Sequence, residues 1–248
     1  MPEVPIATHR TMAMTETARD DDASLADRAY RLIQDDILNG VFSPGEPLRL
    51  AALKDRYGLS FSPLREALTR LSGDRLTELA SLRGFRVASV SLDEMWDLIG
   101  IRTLVESEAL RRAIAGGDVD WEARVVASFH ALSKAVEKHE AVEGQFDKAL
   151  EDRHQAFHHA LISACGSPSL LHIAGQLYTR TERYRRPTLS GELRGAGGPR
   201  DVMKEHADLM DATLKRDANL AVERLAEHYR RTGELIEVGL RRAAAAAE

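Results

Sequence analysis

The chain has 248 residues and a mass of 27.4 kDa, enough for one large domain or two modest ones. Its content of 44% hydrophobic and 29% charged residues is that of an ordinary globular protein. No run of roughly eighteen apolar residues offers a membrane span, no basic-then-apolar stretch opens the chain as a secretory signal would, and a lone Cys165 excludes an internal disulfide.

The net charge of −5 hides a division. Residues 23–90 carry 10 Lys and Arg against 8 Asp and Glu, and no histidine. Eight of the 9 histidines fall in 91–248, the other being His9. The two parts differ in chemistry, and the reducing compartment implied by a single cysteine makes the cytoplasm the expected location.

Residues 1–22 have no hydrophobic period and end in Asp20, Asp21 and Asp22; a disordered tail is expected, in which Met12 and Met14 are further possible starts. Ser24-Leu25-Ala26-Asp27 has the spacing of a helix cap, and Leu25, Ala29, Ile33 and Ile37 then recur on one face. Asn39-Gly40 stops this helix and Ser43-Pro44-Gly45 turns the chain. A short helix around 50–57 ends at Gly58, and Ser62-Pro63 predicts the next start, with Ser as cap and Pro at the first helical position. In this third helix Leu64, Ala67, Leu68 and Leu71 face inward, leaving Arg65, Glu66, Thr69 and Arg70 outside. Residues 78–82, the pair Arg83-Gly84 and the alternating run 85–90 predict a hairpin.

From Ser91 on the patterns are helical, with helices expected near 92–114, 119–140, 145–165, 168–186, 200–216 and 218–242. The glycine-rich stretch Pro187–Pro199 is expected to be a mobile loop. The domains expected are therefore the tail 1–22, a head 23–90, a helical domain 91–242 and a frayed tail 243–248; DNA binding by the head follows from its layout, and effector binding and dimerisation by 91–242 are what its family resemblance implies. The fold class is mainly α: a winged helix-turn-helix of three helices and a hairpin, joined to an antiparallel bundle of six or seven helices.

A winged helix-turn-helix sets its third helix in the DNA major groove. Arg65 is the candidate for a guanine or phosphate contact; Ser62, Thr69 and Arg70 lie on the same exposed side, and Arg83, Gly84 and Arg86 belong to the wing. The alternative for each arginine is an ordinary solvated side chain.

In the bundle, Leu150, His154, His158, Leu161 and Cys165 form one stripe, which places two histidines on an apolar face. His206 falls in step with Val202 and Leu209, and His228 with Ala221, Leu225 and Leu235. Inward polar side chains on facing helices are how bundles build metal sites, and the i, i+4 spacing of His154 and His158 suits chelation. The alternative is a set of hydrogen-bonded core histidines in a structural bundle. Arg102 and Glu106 interrupt the stripe Met95, Ile99, Ala109, Ala113, so both point inward, either to pair with each other or to face a ligand. A metal-dependent hydrolytic enzyme is the rival function, weakened because four protein ligands leave little room for an activated water.

The runs Asn39–Leu48 and Tyr57–Leu68, with Pro63-Leu64-Arg65-Glu66-Ala67-Leu68 at their centre, and Arg83-Gly84-Phe85 resemble the GntR family of bacterial transcription regulators. Most members carry Arg where this chain has Phe61, which implies a different operator; Phe61 either touches a thymine methyl or packs inside. Arg102 with Glu106, Phe157-His158, Gly166-Ser167-Pro168, Glu205-His206 and His228 resemble the FCD effector domain of the FadR subfamily. That resemblance implies a divalent metal held by His158, His206 and His228, with His154 where the family has Asp or Asn. A nitrogen-rich site of this kind favours zinc, with nickel next. It also implies a small carboxylate effector beside the metal, near Arg102 and Glu106, and a homodimer that binds a palindromic operator as a repressor. Gln176-Leu177-Tyr178 and Glu182–Arg186 are similar to the branch of carbon-starvation-induced regulators, which is associated with glutarate and related amino-acid catabolism.

Overall fold

The computed structural model describes residues 24–80, 84–140, 148–189 and 200–246. The tail 1–22 and the wing tip with Arg83 therefore lie outside the described residues. Helix α1 (Leu25–Leu38) starts where the Ser24 hydroxyl accepts a hydrogen bond from the Asp27 amide at 3.1 Å, and it stops at Asn39. Ala26, Ala29, Ile33, Ile37 and Leu38 form its buried face. Leu25, expected on that face, is exposed because Ala26 takes the inward position of the first turn.

Helix α2 (Leu50–Tyr57) ends at Gly58, whose φ of 68° is left-handed backbone that favours glycine. Helix α3 (Phe61–Gly73) buries Leu64, Ala67, Leu68 and Leu71, as the pattern requires. Its cap is Ser60 rather than Ser62. Proline fits anywhere in the first turn, where its missing N–H has no partner to lose, so Pro63 marks the turn without fixing the first residue.

Three strands close the head: β1 (Pro47–Leu48), β2 (Thr77–Ala80) and β3 (Gly84–Val87), antiparallel in the order β1-β3-β2. Leu48 and Leu79 both pair with Phe85. The hairpin was expected; β1 was not, since two residues carry no period and a leading proline argues against a strand anywhere but an edge.

The rest is an all-helical bundle: α4 (Leu92–Gly116), α5 (Val119–Glu140), α6 (Lys148–Ile162), α7 (Pro168–Leu189), α8 (Val202–Leu214) and α9 (Ala218–Ala246). Met95, Leu98, Trp121, Phe157 and Leu209 are at its centre, and the Trp121 indole donates to the Ala160 carbonyl at 2.8 Å. At one close approach, a Cβ on Gly233 of α9 would come within 2.6 Å of the Trp96 ring on α4.

Two expected ends are corrected. Helix α7 runs through Pro187 to Leu189, so the expected loop starts later, and its remainder from 190 to 199 lies outside the described residues. Helix α9 continues to Ala246 instead of ending at 242, because alanine propagates a helix without needing burial.

Helix α7 also touches the head. Arg183 donates to the Arg75 carbonyl at 3.0 Å and to Glu94 at 2.5 Å, and Arg186 donates to Asn39 at 3.3 Å. The helix that crosses the bundle core thus ends against α1 and the turn after α3.

Candidate metal centre and nucleic-acid interface

The period that makes α6 amphipathic puts His154 and His158 one turn apart, and α8 and α9 bring His206 and His228 to face them. One nitrogen of each of the four rings lies within 4.8 Å of the others, and ring centroids are separated by 4.6 to 6.4 Å. His158, His206 and His228 are buried; His154 is half-buried. His130, His159 and His172 are exposed, outside the cluster.

The hydrogen bonds around the cluster leave donors for an ion. Neither His206 nitrogen has a partner among the described residues, and neither does His158 Nε2. A buried imidazole with both nitrogens unpaired is costly unless something else binds it. Burial, reinforced by the neighbouring histidines and arginines, holds His158 and His206 well below the usual imidazole range. It brings His228 down to about 4 against the hydrogen bond to Glu205, and lowers His154 as well. The four rings are therefore neutral at neutral pH, the state in which imidazole binds metal. Buried orphan nitrogens, neutral rings and convergent geometry fit a divalent metal ion.

Around the rings lies a set of buried acids, phenols and arginines. His228 Nδ1 is 2.9 Å from Glu205 Oε2, which Arg200 also engages at 2.6 Å. Burial works to raise the Glu205 carboxyl, but hydrogen bonds from Arg200 and His228 hold it well below the usual range. Arg102 and Glu106 are both buried, as expected, and paired at 2.6 Å. Arg102 also donates to Thr181 at 3.1 Å and to the Tyr229 hydroxyl at 3.0 Å. Three of the five guanidinium N–H groups are thereby used, and two have no hydrogen-bond partner among the described residues.

Sequence reading passed over Glu151 and Tyr229, and noted Tyr178, Arg185 and Glu205 only within runs that resemble the family, with no role assigned. Glu151 and Arg185 form a buried ion pair, and Tyr178 donates to Glu151. The spacing held one signal: Glu151 precedes His154 by three residues and His158 by seven, on the same helical face. Asp152, by contrast, is exposed and pairs with Lys148.

On the head, Phe61, Ser62, Arg65, Thr69 and Arg70 are all exposed along α3. Phe61 is 48% exposed with the Lys54 ammonium 5.3 Å from its ring centre, which removes the alternative of packing inside. Arg65 is exposed and has no hydrogen bond or ion pair with a described residue. Thr69 bonds the Arg65 carbonyl at 2.9 Å, while Arg70 pairs with Asp27 at 2.6 Å and lies over the Tyr30 ring. Gly84, with φ of 87°, opens β3, and Arg86 is exposed on it.

Residues 25–87 match the gntR family of bacterial regulatory proteins, and residues 97–231 match the FCD domain. The chain belongs to the GntR family. It is 39% identical to the HTH-type transcriptional repressor GlaR of Escherichia coli (strain K12), over 80% of this chain and 90% of that protein. It is 38% identical to the uncharacterized HTH-type transcriptional regulator BphR of Paraburkholderia xenovorans (strain LB400), over 83% of this chain and 82% of that one. The solved structure of E. coli McbR/YncC has the same fold, with a TM-score of 0.69 at 21% identity, over 87% of this chain and 98% of that one. This GntR-family chain is a DNA-binding transcription regulator and not an enzyme, which removes the hydrolytic reading. None of its described helices is long and apolar enough to cross a membrane.

Proposed function

We propose that this regulator is a cytoplasmic repressor that binds a palindromic operator as a homodimer and leaves it when a small carboxylate binds beside a metal ion. The observation that carries this reading is the four-histidine cluster, three of its rings buried, with both nitrogens of His206 and Nε2 of His158 lacking partners among the described residues. His154, His158, His206 and His228 would hold the ion. An all-imidazole donor set favours zinc, with nickel next.

The bound metal would supply positive charge for a carboxylate, and Arg102 would offer its two unused N–H groups to the same anion. Glu106 balances the Arg102 charge while the effector is absent. A dicarboxylate such as glutarate is the effector class we favour, on the resemblance of Gln176–Tyr178 and Glu182–Arg186 to regulators of that catabolism. The repressor role is supported by GlaR, which is named a repressor and matches across both regions of the chain.

At the DNA, Arg65 would read a guanine or hold a phosphate, with Phe61, Ser62, Thr69 and Arg70 along the same face and Arg83, Gly84 and Arg86 at the wing. A two-fold protein matches a palindrome, because each head takes one half-site. Helix α7 supplies a link between the sites, since Tyr178 and Thr181 stand beside Arg102 while Arg183 and Arg186 hold the head. A hundredfold loss of operator affinity needs only about 2.7 kcal/mol of coupling.

The test is binding to the intergenic DNA upstream of the protein's own gene, with and without a panel of small dicarboxylates, on protein of assayed metal content. Sequence-specific binding released by one acid supports the reading. Specific binding that no acid alters, with metal present, refutes the carboxylate switch.

A further inference from the structure

Two of the four histidines are backed by the same arrangement of side chains. His154 Nδ1 is 3.0 Å from the Tyr178 hydroxyl, Tyr178 donates to Glu151, and Arg185 pairs with Glu151 and donates to Tyr178 at 3.2 Å. His158 Nδ1 is 3.3 Å from the Tyr229 hydroxyl, Tyr229 donates to Glu106 at 2.5 Å, and Arg102 pairs with Glu106 and donates to Tyr229 at 3.0 Å. The residues come from different helices, α6 and α7 in one set and α4, α6 and α9 in the other. The repetition is therefore one of chemistry and not of sequence.

The protons in each set can be placed. A phenol has one hydrogen, and in both sets a buried carboxylate takes it. The phenol oxygen is left only with lone pairs, so the histidine Nδ1 facing it must carry the hydrogen and donate. In the neutral ring this leaves the lone pair on Nε2, the atom that His158 holds buried without a partner. His228 Nδ1 faces Glu205 Oε2 at 2.9 Å and Arg200 Nη2 at 3.3 Å; the nearer carboxylate accepts its hydrogen, which gives the same tautomer directly.

We propose that Tyr178 and Glu151 are positioning residues that lock His154 as an Nε2 metal ligand, as Tyr229 and Glu106 do for His158. The proposal rests on reading the cluster as a metal centre. It gives Glu106 a task besides balancing Arg102, and it gives Glu151, Tyr178 and Arg185 one where none was assigned. Acceptors behind metal-binding histidines fix the ring and raise its basicity, and losing one typically costs about 10–100-fold in metal affinity.

The experiment uses the full-length protein with zinc as the probe. Zinc affinity is measured by chelator competition, and ring tautomers are read from nitrogen shifts of 15N-histidine-labelled, metal-free protein. Tyr178→Phe removes the acceptor and keeps the Glu151–Arg185 pair. It should weaken zinc about 10–100-fold and turn His154 from a single Nδ1–H tautomer into a mixture, while Asp152→Asn leaves both readouts unchanged. A purely structural tyrosine would lower the melting temperature and leave the tautomer as it was.

Zinc affinity within twofold of the parent and an unchanged tautomer in Tyr178→Phe would overturn the proposal and leave the metal centre standing. A parent protein that takes up no zinc or nickel would overturn both. Should Tyr178→Phe fail to fold, the parent decides alone: an Nδ1–H tautomer at His154 supports the lock, and an Nε2–H tautomer refutes it.

Discussion

The head buries Ile33, Leu38, Leu64, Leu68 and Leu71 and, among the described residues, a single polar side chain, Thr77. The bundle buries Arg102, Glu106, Glu151, Glu182, Arg185, His158, His206 and His228 within one core. An apolar core needs only shape and volume, and it leaves the outer face of α3 free to be chosen for DNA. A core full of ions is poor value for stability, since desolvation offsets much of the Coulomb gain. Its presence in the bundle is accounted for under the proposed function, in which the site holds a metal ion and an anion, rather than by the needs of folding.

The sharpest way to break this comparison is to remove one partner from each core. Arg102→Met leaves Glu106 buried without its counter-charge and should cost about 3–5 kcal/mol of bundle stability, read by chemical denaturation. Adding Glu106→Leu should cost less than the sum of the two single changes, because the orphaned charge goes with it. A bundle indifferent to Arg102→Met would mean that the pair is not buried in solution.

Leu68→Ala in the head should cost about 2–5 kcal/mol through the cavity it leaves. Operator binding should fall while zinc uptake stays as in the parent. Loss of both would mean that the two regions fold as one unit.

Acid separates the regions in another way. Unfolded histidines take up protons near pH 6.5, whereas burial delays His228 to about 4 and depresses its three neighbours as well. The four histidines should therefore make the metal-free bundle less stable as the pH falls from 6.5 toward 4; Glu182, pushed up to about 7 by burial, works against them over that range, but as one group against four. The head contains no histidine, so its own transition should move less over that range. Thermal melts at a series of pH values, followed by probes in each region, would show it.

Smaller again is Arg65→Ala, expected to cost about 1–3 kcal/mol of operator affinity with no change in bundle stability. If Arg65 holds a phosphate, the loss will be uniform across sequences and the salt dependence will flatten; if it reads a guanine, discrimination at one position will relax. Fluorescence anisotropy on variant operators distinguishes the two.

The same contrast decides how much was legible beforehand. Helices whose apolar residues repeat every three or four positions, such as α3 and α5, could be read because burial there follows the period. The four histidines stood out for the same reason, as polar interruptions of an apolar stripe. In α7 that signal vanishes: Thr181, Glu182, Arg183, Tyr184, Arg185 and Arg186 are all buried. A segment buried on every side has no period, and its charges read as a solvated face. The roles of Tyr178 and Arg185 were hidden by this, and so was the contact of Arg183 and Arg186 with the head. Strand β1 was lost for the simpler reason that two residues carry no pattern, and Ser62 was misplaced as a cap because Pro63 fits more than one position in a first turn.

The central claim is that the four histidines hold a metal ion. Metal content of the purified parent and of His206→Ala, measured by mass spectrometry on folded protein, tests it most directly, since neither His206 nitrogen has a hydrogen-bond partner among the described residues. The account predicts about one zinc or nickel ion per chain in the parent and a large loss in the variant. Equal metal content in the two proteins, or a parent that binds neither ion when both are supplied, would contradict it.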